Sequence, residues 1–246
     1  MLPASRSGQV GTDLTAFVTL INGGAVPAED CTIDLLANIP ATLSYQTTDP
    51  LTNAPTGNPN MPVTIAAGAA QSFVITIALA AQFDPVDAAL AYSCTNADTV
   101  TPLEGLNTLL LSASTIAVPD VIALAATSSG DGIVQLDSAG NGAFSVATVN
   151  VGTSATVSVS ATTTTGASVA LCESDPVTAA CINPTSPTFG DVSLSVANNG
   201  TPTFSVFASS GSAIPSNAAT NRISVVFRGA DNNVRGQTSV AVQSTN

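Results

Sequence analysis

The chain has 246 residues, with sixteen acidic side chains against four basic ones, a net charge of −12, and only 8% of residues charged. The bases are Arg6, Arg222, Arg228 and Arg235; lysine, histidine and tryptophan are absent. Such a surface repels nucleic acid and anionic lipid, and it lacks the side chains that most catalysis near neutral pH uses. Hydrophobic residues make up 45%, too many for a disordered chain, but much of this is alanine and aromatics reach only 4%, so each core is thin. The length fits two domains of about a hundred residues each.

The opening MLPASRSGQVG has no apolar run that would mark a signal peptide, which implies a mature form or a piece of a longer secreted protein. No run of eighteen apolar residues follows, so no membrane insertion by a helix is expected. From there period-two alternation dominates. It predicts strands at 13–21, 30–36, 41–47, 62–66, 71–79, 87–93 and 107–113, and then at 119–126, 132–136, 142–149, 153–161, 167–173, 190–197, 202–208, 221–228 and 234–242. In 153–161 valine and alanine alternate with serine and threonine, the pattern of a sheet with one buried face. Breaks such as Asn22-Gly23-Gly24, Ala66-Ala67-Gly68, Gly140-Asn141-Gly142 and Asn198-Asn199-Gly200 read as tight turns. The segment 78–89 is expected to coil once before Pro85. Short strands at these spacings make an all-β chain of two tandem sandwiches, 1–113 and 114–246.

An internal repeat supports the division. VGT at 10–12 recurs at 151–153, LSYQTTDPLTNAP at 43–55 lies over VALCESDPVTAAC at 169–181, and Gly68 lies over Gly200. In this register 114–150 has no counterpart, because only LPASRSGQ precedes the first VGT. The first domain therefore closes with fewer strands, or its leading strand has been cut away or comes from elsewhere. Residues 2–9 are then a remnant or a strand to donate. The repeat also sorts the four cysteines. Cys172 and Cys181 fall on Gln46 and Pro55 and are absent from the first unit together, which favours the pairs Cys31–Cys94 and Cys172–Cys181 in an oxidising compartment.

The series VNVG, CESDP, NRISVVFR, ADNNVRG and TSVAV resembles the Thr/Ala/Val-rich repeat modules of secreted or surface proteins of Gram-negative bacteria. The resemblance implies an immunoglobulin-like sandwich with a structural or adhesive role. It brings no catalytic or binding residue with it.

Candidate sites are few. DGIVQLDSAGNG offers oxygens from Asp131, Asp137 and Asn141, with Asp120 able to join, as a calcium site; no EF-hand spacing is present, and Asx turns are the competing reading. No other cofactor is implied. A carboxylate pair for glycoside hydrolysis lacks stacking aromatics, since Tyr45 and Tyr92 alternate with small residues inside strands. No GxSxG, CxxC or zinc knuckle exists, so no enzyme activity is expected. Without lysine, Lys–Asn isopeptide crosslinks cannot form. The arginines late in the chain are expected to pair locally with Asp231 or Asp191. The expectation is a structural subunit of an extracellular or cell-surface filament or layer, joined to neighbouring subunits through β-edges. An adhesive, carbohydrate-binding or protein-binding module is the alternative.

Overall fold

The computed structural model describes residues 1–244. The chain divides into two compact units, Met1–Ile116 and Ala117–Asn246. Both are built from β-strands, and the architecture is all-β with two tandem immunoglobulin-like sandwiches.

The first unit runs β1 (Ser5–Gln9), β2 (Asp13–Ile21), β3 (Ala28–Leu35), β4 (Ala41–Thr48), β5 (Val63–Ile65), β6 (Ala70–Leu79), β7 (Phe83–Ala88), β8 (Leu90–Ser93) and β9 (Leu109–Ser114). One layer is β2–β6–β4. The other comes in two pieces, β1–β9–β7 and β5–β3–β8. Only Ala89 separates β7 from β8, so one broken strand carries both pieces and the layer reads β1–β9–(β7, β8)–β3–β5. Alternation places Leu14, Ala16 and Val18 against Phe73, Ile75 and Ile77 in the core, where Tyr45 meets Phe73 edge-on at 6.0 Å.

The second unit runs β10 (Val121–Ala126), β11 (Ile133–Leu136), β12 (Asn141–Asn150), β13 (Ala155–Thr163), β14 (Ser168–Ser174), β15 (Cys181–Thr188), β16 (Val192–Val196), β17 (Thr203–Ser209), β18 (Arg222–Arg228) and β19 (Val234–Ser244). Its layers are β10–β12–β17–β14–β15 and β11–β19–β18–β13–β16. Phe144, Val146, Val157, Val159, Phe204, Val206 and Phe227 fill the core, with Phe204 and Phe227 edge-on at 5.4 Å.

The pairing registers align the two units strand by strand. Val18 faces Phe73, which faces Thr47; Val146 faces Phe204, which faces Glu173. Two residues beyond Thr47 and Glu173 come Asp49 and Asp175, which build the same turn. Each Oδ1 accepts from the two N–H groups and the threonine hydroxyl that follow, and each turn has a left-handed residue, Asn53 or Ala179. The DPxT landmarks are thus structurally equivalent, whereas the glycine landmark slips by one residue: Gly68 falls on Asn199, both left-handed, and Ala69 falls on Gly200.

The VGT landmark is not. VGT 10–12 precedes β2, whose counterpart is β12, whereas VGT 151–153 precedes β13, whose counterpart is β3. The repeat register slips by one strand there. With that slip removed, β1 is the counterpart of β11, and the strand the first unit lacks is the counterpart of β10, of which only the Leu2–Phe17 bridge is present. Residues 5–9 form β1, parallel to the final strand β9, as β11 lies parallel to the final strand β19. The segment 2–9 is therefore built into its own unit and is not a free donor.

Alternation could not announce β1, because SRSGQ has no β-branched residue. Its Ser5 and Ser7 are buried, and Ser7 Oγ lies 2.9 Å from Ser112 Oγ. The coil expected in 78–89 is instead the strand β7, which pairs with β9 across a bulge. The strand β15 was also invisible, since Pro184 and Pro187 read as loop. At the outer edge of its sheet the missing N–H groups cost no ladder bond.

Candidate functional site

The sequence-selected residues disperse into structural roles. Cys31 and Cys94 form a disulfide that joins β3 to the end of β8, one step beyond the Thr32–Ser93 pair. Cys172 and Cys181 close the DPVT turn between β14 and β15. Asp131 Oδ1 accepts the Ser129 hydroxyl and the Ile133 N–H, at 2.9 Å for the latter. Asp137 Oδ1 accepts the N–H groups of Ala139 and Asn141, both at 2.9 Å. Asp120 is buried at the foot of β10. The turns bring Asp137 and Asn141 together through the backbone. Among the described residues no three His, Cys, Asp or Glu side chains gather as a metal-ligand group. Of the arginines, Arg235 is buried and pairs with Asp231, Arg222 donates to Ser239 Oγ, and Arg228 donates to the Asn232 carbonyl; Asp191 accepts from Ser158 Oγ.

A built feature that the sequence reading passed over lies at the end of the strand pair β2 and β12. Asn150 is fully buried and ties a corner together. Its Nδ2 donates to the carbonyls of Thr153 at 2.8 Å and Ala197 at 3.2 Å, and its Oδ1 accepts from Gly152 at 3.1 Å and Asp120 at 3.0 Å. Asn22 is its counterpart. Its Nδ2 donates to Val26 at 2.8 Å, Ile65 at 3.0 Å and Ala66 at 3.2 Å, and its Oδ1 accepts from Gly24 at 2.9 Å. The main chains repeat the match: Asn22 and Asn150 each exchange bonds with the β-turn at Gly68–Ala69 or Asn199–Gly200. The signal was present in the sequence as Asn-x-Gly at 22–24 and 150–152, but a lone Asn-Gly cluster reads first as a turn.

The two corners differ in one respect. In the second unit β10 covers the outer edge of β12 over residues 145–150, from Val121 opposite Asn150 to Ala126 opposite Ser145. Asp120 completes this by donating its N–H to Asn150 Oδ1 and accepting the Val151 N–H at 2.9 Å. In the first unit a single residue does this work. Leu2 exchanges both main-chain bonds with Phe17, the position equivalent to Ser145, and the chain then turns away at the cis peptide before Pro3 to become β1. Met1 stands where Ala125 stands. Nothing within the first unit corresponds to Asp120–Leu124.

Beside that vacant stretch lies a cavity of about 420 Å³, lined among others by Val18, Leu20, Ile21, Tyr92 and Val100. In the second unit the equivalent ground is filled by Val121 and Ala123, both 1% exposed. Ile21 is 75% exposed. Since Phe17 turns its N–H and C=O outward, strand alternation turns those of Thr19 and Ile21 outward too. Among the described residues the Gly23 N–H, equivalent to that of Val151, has no partner. Tyr92 donates its hydroxyl to the Asn107 carbonyl at 3.3 Å, and burial pushes its pKa up to about 12.

Comparison with known proteins gives no family for the chain. No family model matches it, and no curated protein matches it. Among solved structures, the family 123 glycoside hydrolase from Clostridium perfringens aligns at TM-score 0.33 and 11% identity, over 54% of this chain and 25% of that one. The major pilin subunit BcpA of Bacillus cereus, as its D312A form, aligns at 0.32 and 12%, over 95% of this chain and 70% of that one. A chicken T-cell receptor aligns at 0.28 and 11%, over 98% and 96%. The chain thus spans a quarter of the first of these.

Proposed function

We propose that the chain is a non-catalytic structural subunit of an extracellular bacterial assembly, a filament or a surface layer, that joins its neighbours through β-edges. The observation that carries this reading is the pair of five-stranded sheets in the second unit that end side by side in the edge strands β15 and β16, within a disulfide-braced chain. Unpaired strand edges are what proteins ordinarily cover, because they recruit other chains. The sequence of β16, VSLSV, carries no charge to guard it. Two further features support the reading. The polar surface is Thr- and Ser-rich and sparsely charged, and the carboxylates of Asp49, Asp131 and Asp175 are spent on capping turns instead of converging on a site. Electron microscopy and sedimentation of the native material test it. Repeating subunits are expected, and material that stays monomeric over the accessible concentration range overturns it.

The adhesive reading draws on a different surface. The outer face of β10–β12–β17–β14 presents Leu124, Ala143, Ser145, Phe207 and Ala170 with no charged side chain among them, and Phe189 stands 75% exposed beside Phe207. Saturable binding to a glycan array, lost on Phe207→Ala, decides for it.

A further inference from the structure

We infer that the edge strand β16 is a self-association site, at which two copies of the chain pair antiparallel about Leu194 and join their sheets into one. The inference rests on the assembly reading and adds the strand, the register and the symmetry of the contact.

β16 ends its sheet, paired on one side to β13. The registers show which of its main-chain groups are left over. Thr164 N–H donates to the Arg222 carbonyl, so, stepping by two, Thr162, Ser160 and Ser158 bond to β18, and the alternate residues Ala155, Val157 and Val159 bond to β16. Their partners there are Val196, Leu194 and Val192, which leaves the N–H and C=O of Ser193 and Ser195 directed away from the sheet. The Ser193 carbonyl agrees: it accepts from Asn183 Nδ2 on β15, in the opposite sheet, at a long 3.5 Å. The side chains sort the same way. Val192 and Val196 are buried, Leu194 packs against the core, and both serines are exposed. Of the two edges that end side by side, β15 is blunted by Pro184 and Pro187, whereas β16 runs opposite β13 without a bulge, a proline or a charge.

The sequence of this edge is complementary to itself. VSLSV is a palindrome, so an antiparallel copy centred on Leu194 opposes Val192 to Val196, Ser193 to Ser195 and Leu194 to its own equivalent. The opposed serines are the residues whose main-chain groups are unspent, so each Ser193–Ser195 pair exchanges both N–H···O=C bonds, and the symmetry axis generates that pair twice. The Ser195 N–H of the copy takes over the Ser193 carbonyl from Asn183. An axis normal to the sheet keeps the aliphatic face of both copies on the core side and the serine face in water. Asp191, next to the strand, falls opposite Ala197, so two chains of net charge −12 meet here without opposing like charges. A one-residue slip would turn the copy's valines to solvent, and a two-residue slip would leave part of each strand unopposed. An extended peptide of another sequence also satisfies the main-chain groups, but only one that alternates aliphatic residues and serine at these places matches both faces. The contact is isologous and closes as a dimer; a filament or layer is then built from dimers through a further surface.

The test uses the full chain, in which all four cysteines are held in disulfides. Leu194→Cys then adds a single free thiol that meets its own copy across the axis, at the short cross-strand spacing of a non-hydrogen-bonded pair and within disulfide reach. Oxidation with diamide should give a covalent dimer on non-reducing electrophoresis. Ser193→Cys and Ser195→Cys chains should crosslink to each other when mixed, and less to themselves. Sedimentation supplies the second arm. Ser195→Pro removes half of the cross-strand bonds and none of those to β13, and should weaken dimerisation about tenfold or more, with thermal unfolding of the dilute chain unchanged. Lack of a Leu194→Cys dimer, or of any weakening by Ser195→Pro, overturns the inference. Filaments that form undiminished from Ser195→Pro chains would overturn it while leaving the structural-subunit function standing. A dimer linked at Leu194 that never grows further would uphold the contact while refuting the filament or layer.

Discussion

Truncating the paired corner asparagines separates what the covered and uncovered edges contribute to stability. Asn150→Ala strips the acceptor from two backbone donors, Asp120 N–H and Gly152 N–H, in a corner where the asparagine is fully buried. An orphaned buried donor costs about 1–2 kcal/mol, so the two together cost about 2–4 kcal/mol, before any loss from the carbonyls of Thr153 and Ala197. Asn22→Ala strips the acceptor from Gly24 alone, in a half-buried corner that water reaches, and costs about 1 kcal/mol. At about 4 °C per kcal/mol for a unit of this size, Asn150→Ala lowers the melting of its unit by about 12 °C and Asn22→Ala by about 4 °C. Calorimetry of the full chain measures the shifts, and hydrogen exchange of the turns at 66–69 and 197–200 assigns each to its unit. Equal losses from the two substitutions would refute the reasoning, because they would show that the covering strand adds nothing to the corner.

Three further outcomes follow from local geometry. Removing Cys31–Cys94, with a sequence separation of 63, costs about 4 kcal/mol by the chain-entropy model, against about 2.7 kcal/mol for Cys172–Cys181 with a separation of 9; urea unfolding of the two double-alanine variants orders them, and a reversed order contradicts the model. The carboxyls of Asp49 and Asp175 are held below the usual range by the backbone N–H groups of Thr52 and Thr178 first, then by those of Leu51 and Val177 and by the threonine hydroxyls. A depressed carboxyl stabilises the fold above its unfolded value, near 3.8, and this is lost as pH falls through the lower folded value; urea midpoints should drop below about pH 4, and less steeply in Asp49→Ala and Asp175→Ala. Gly140→Ala places a Cβ 2.1 Å from the Ser210 carbonyl at φ +81°, while Gly130→Ala meets nothing within 4 Å at φ +72°; the first should cost about 3 kcal/mol and the second about 1 kcal/mol, read from thermal unfolding.

Alternation and turn chemistry are local properties, and the elements they govern were legible from the sequence. The strand pattern of β2, β13 and β18 could be read directly because each buries one face and leaves the other in water. The equivalent turns at Asp49 and Asp175 could be matched because a side chain capping its own backbone needs only the residues that follow it. Composition likewise removed most acid–base and nucleophilic chemistry, since it needs residues this chain does not have. Three features depended on the tertiary setting of the segment. SRSGQ is a strand because β9 lies beside it, CINPTSPT is one because it sits at an edge where prolines do no harm, and ALAAQFDPVDAA extends because β9 holds its second half. The candidate site belongs to this second group. Asn22 and Asn150 have the same local sequence pattern, and only the pairing of β10 with β12, set against the lone bridge of Leu2 to Phe17, makes one corner closed and the other open. A strand edge has no sequence signature, because whether backbone groups are paired is settled by what the tertiary fold lays alongside them.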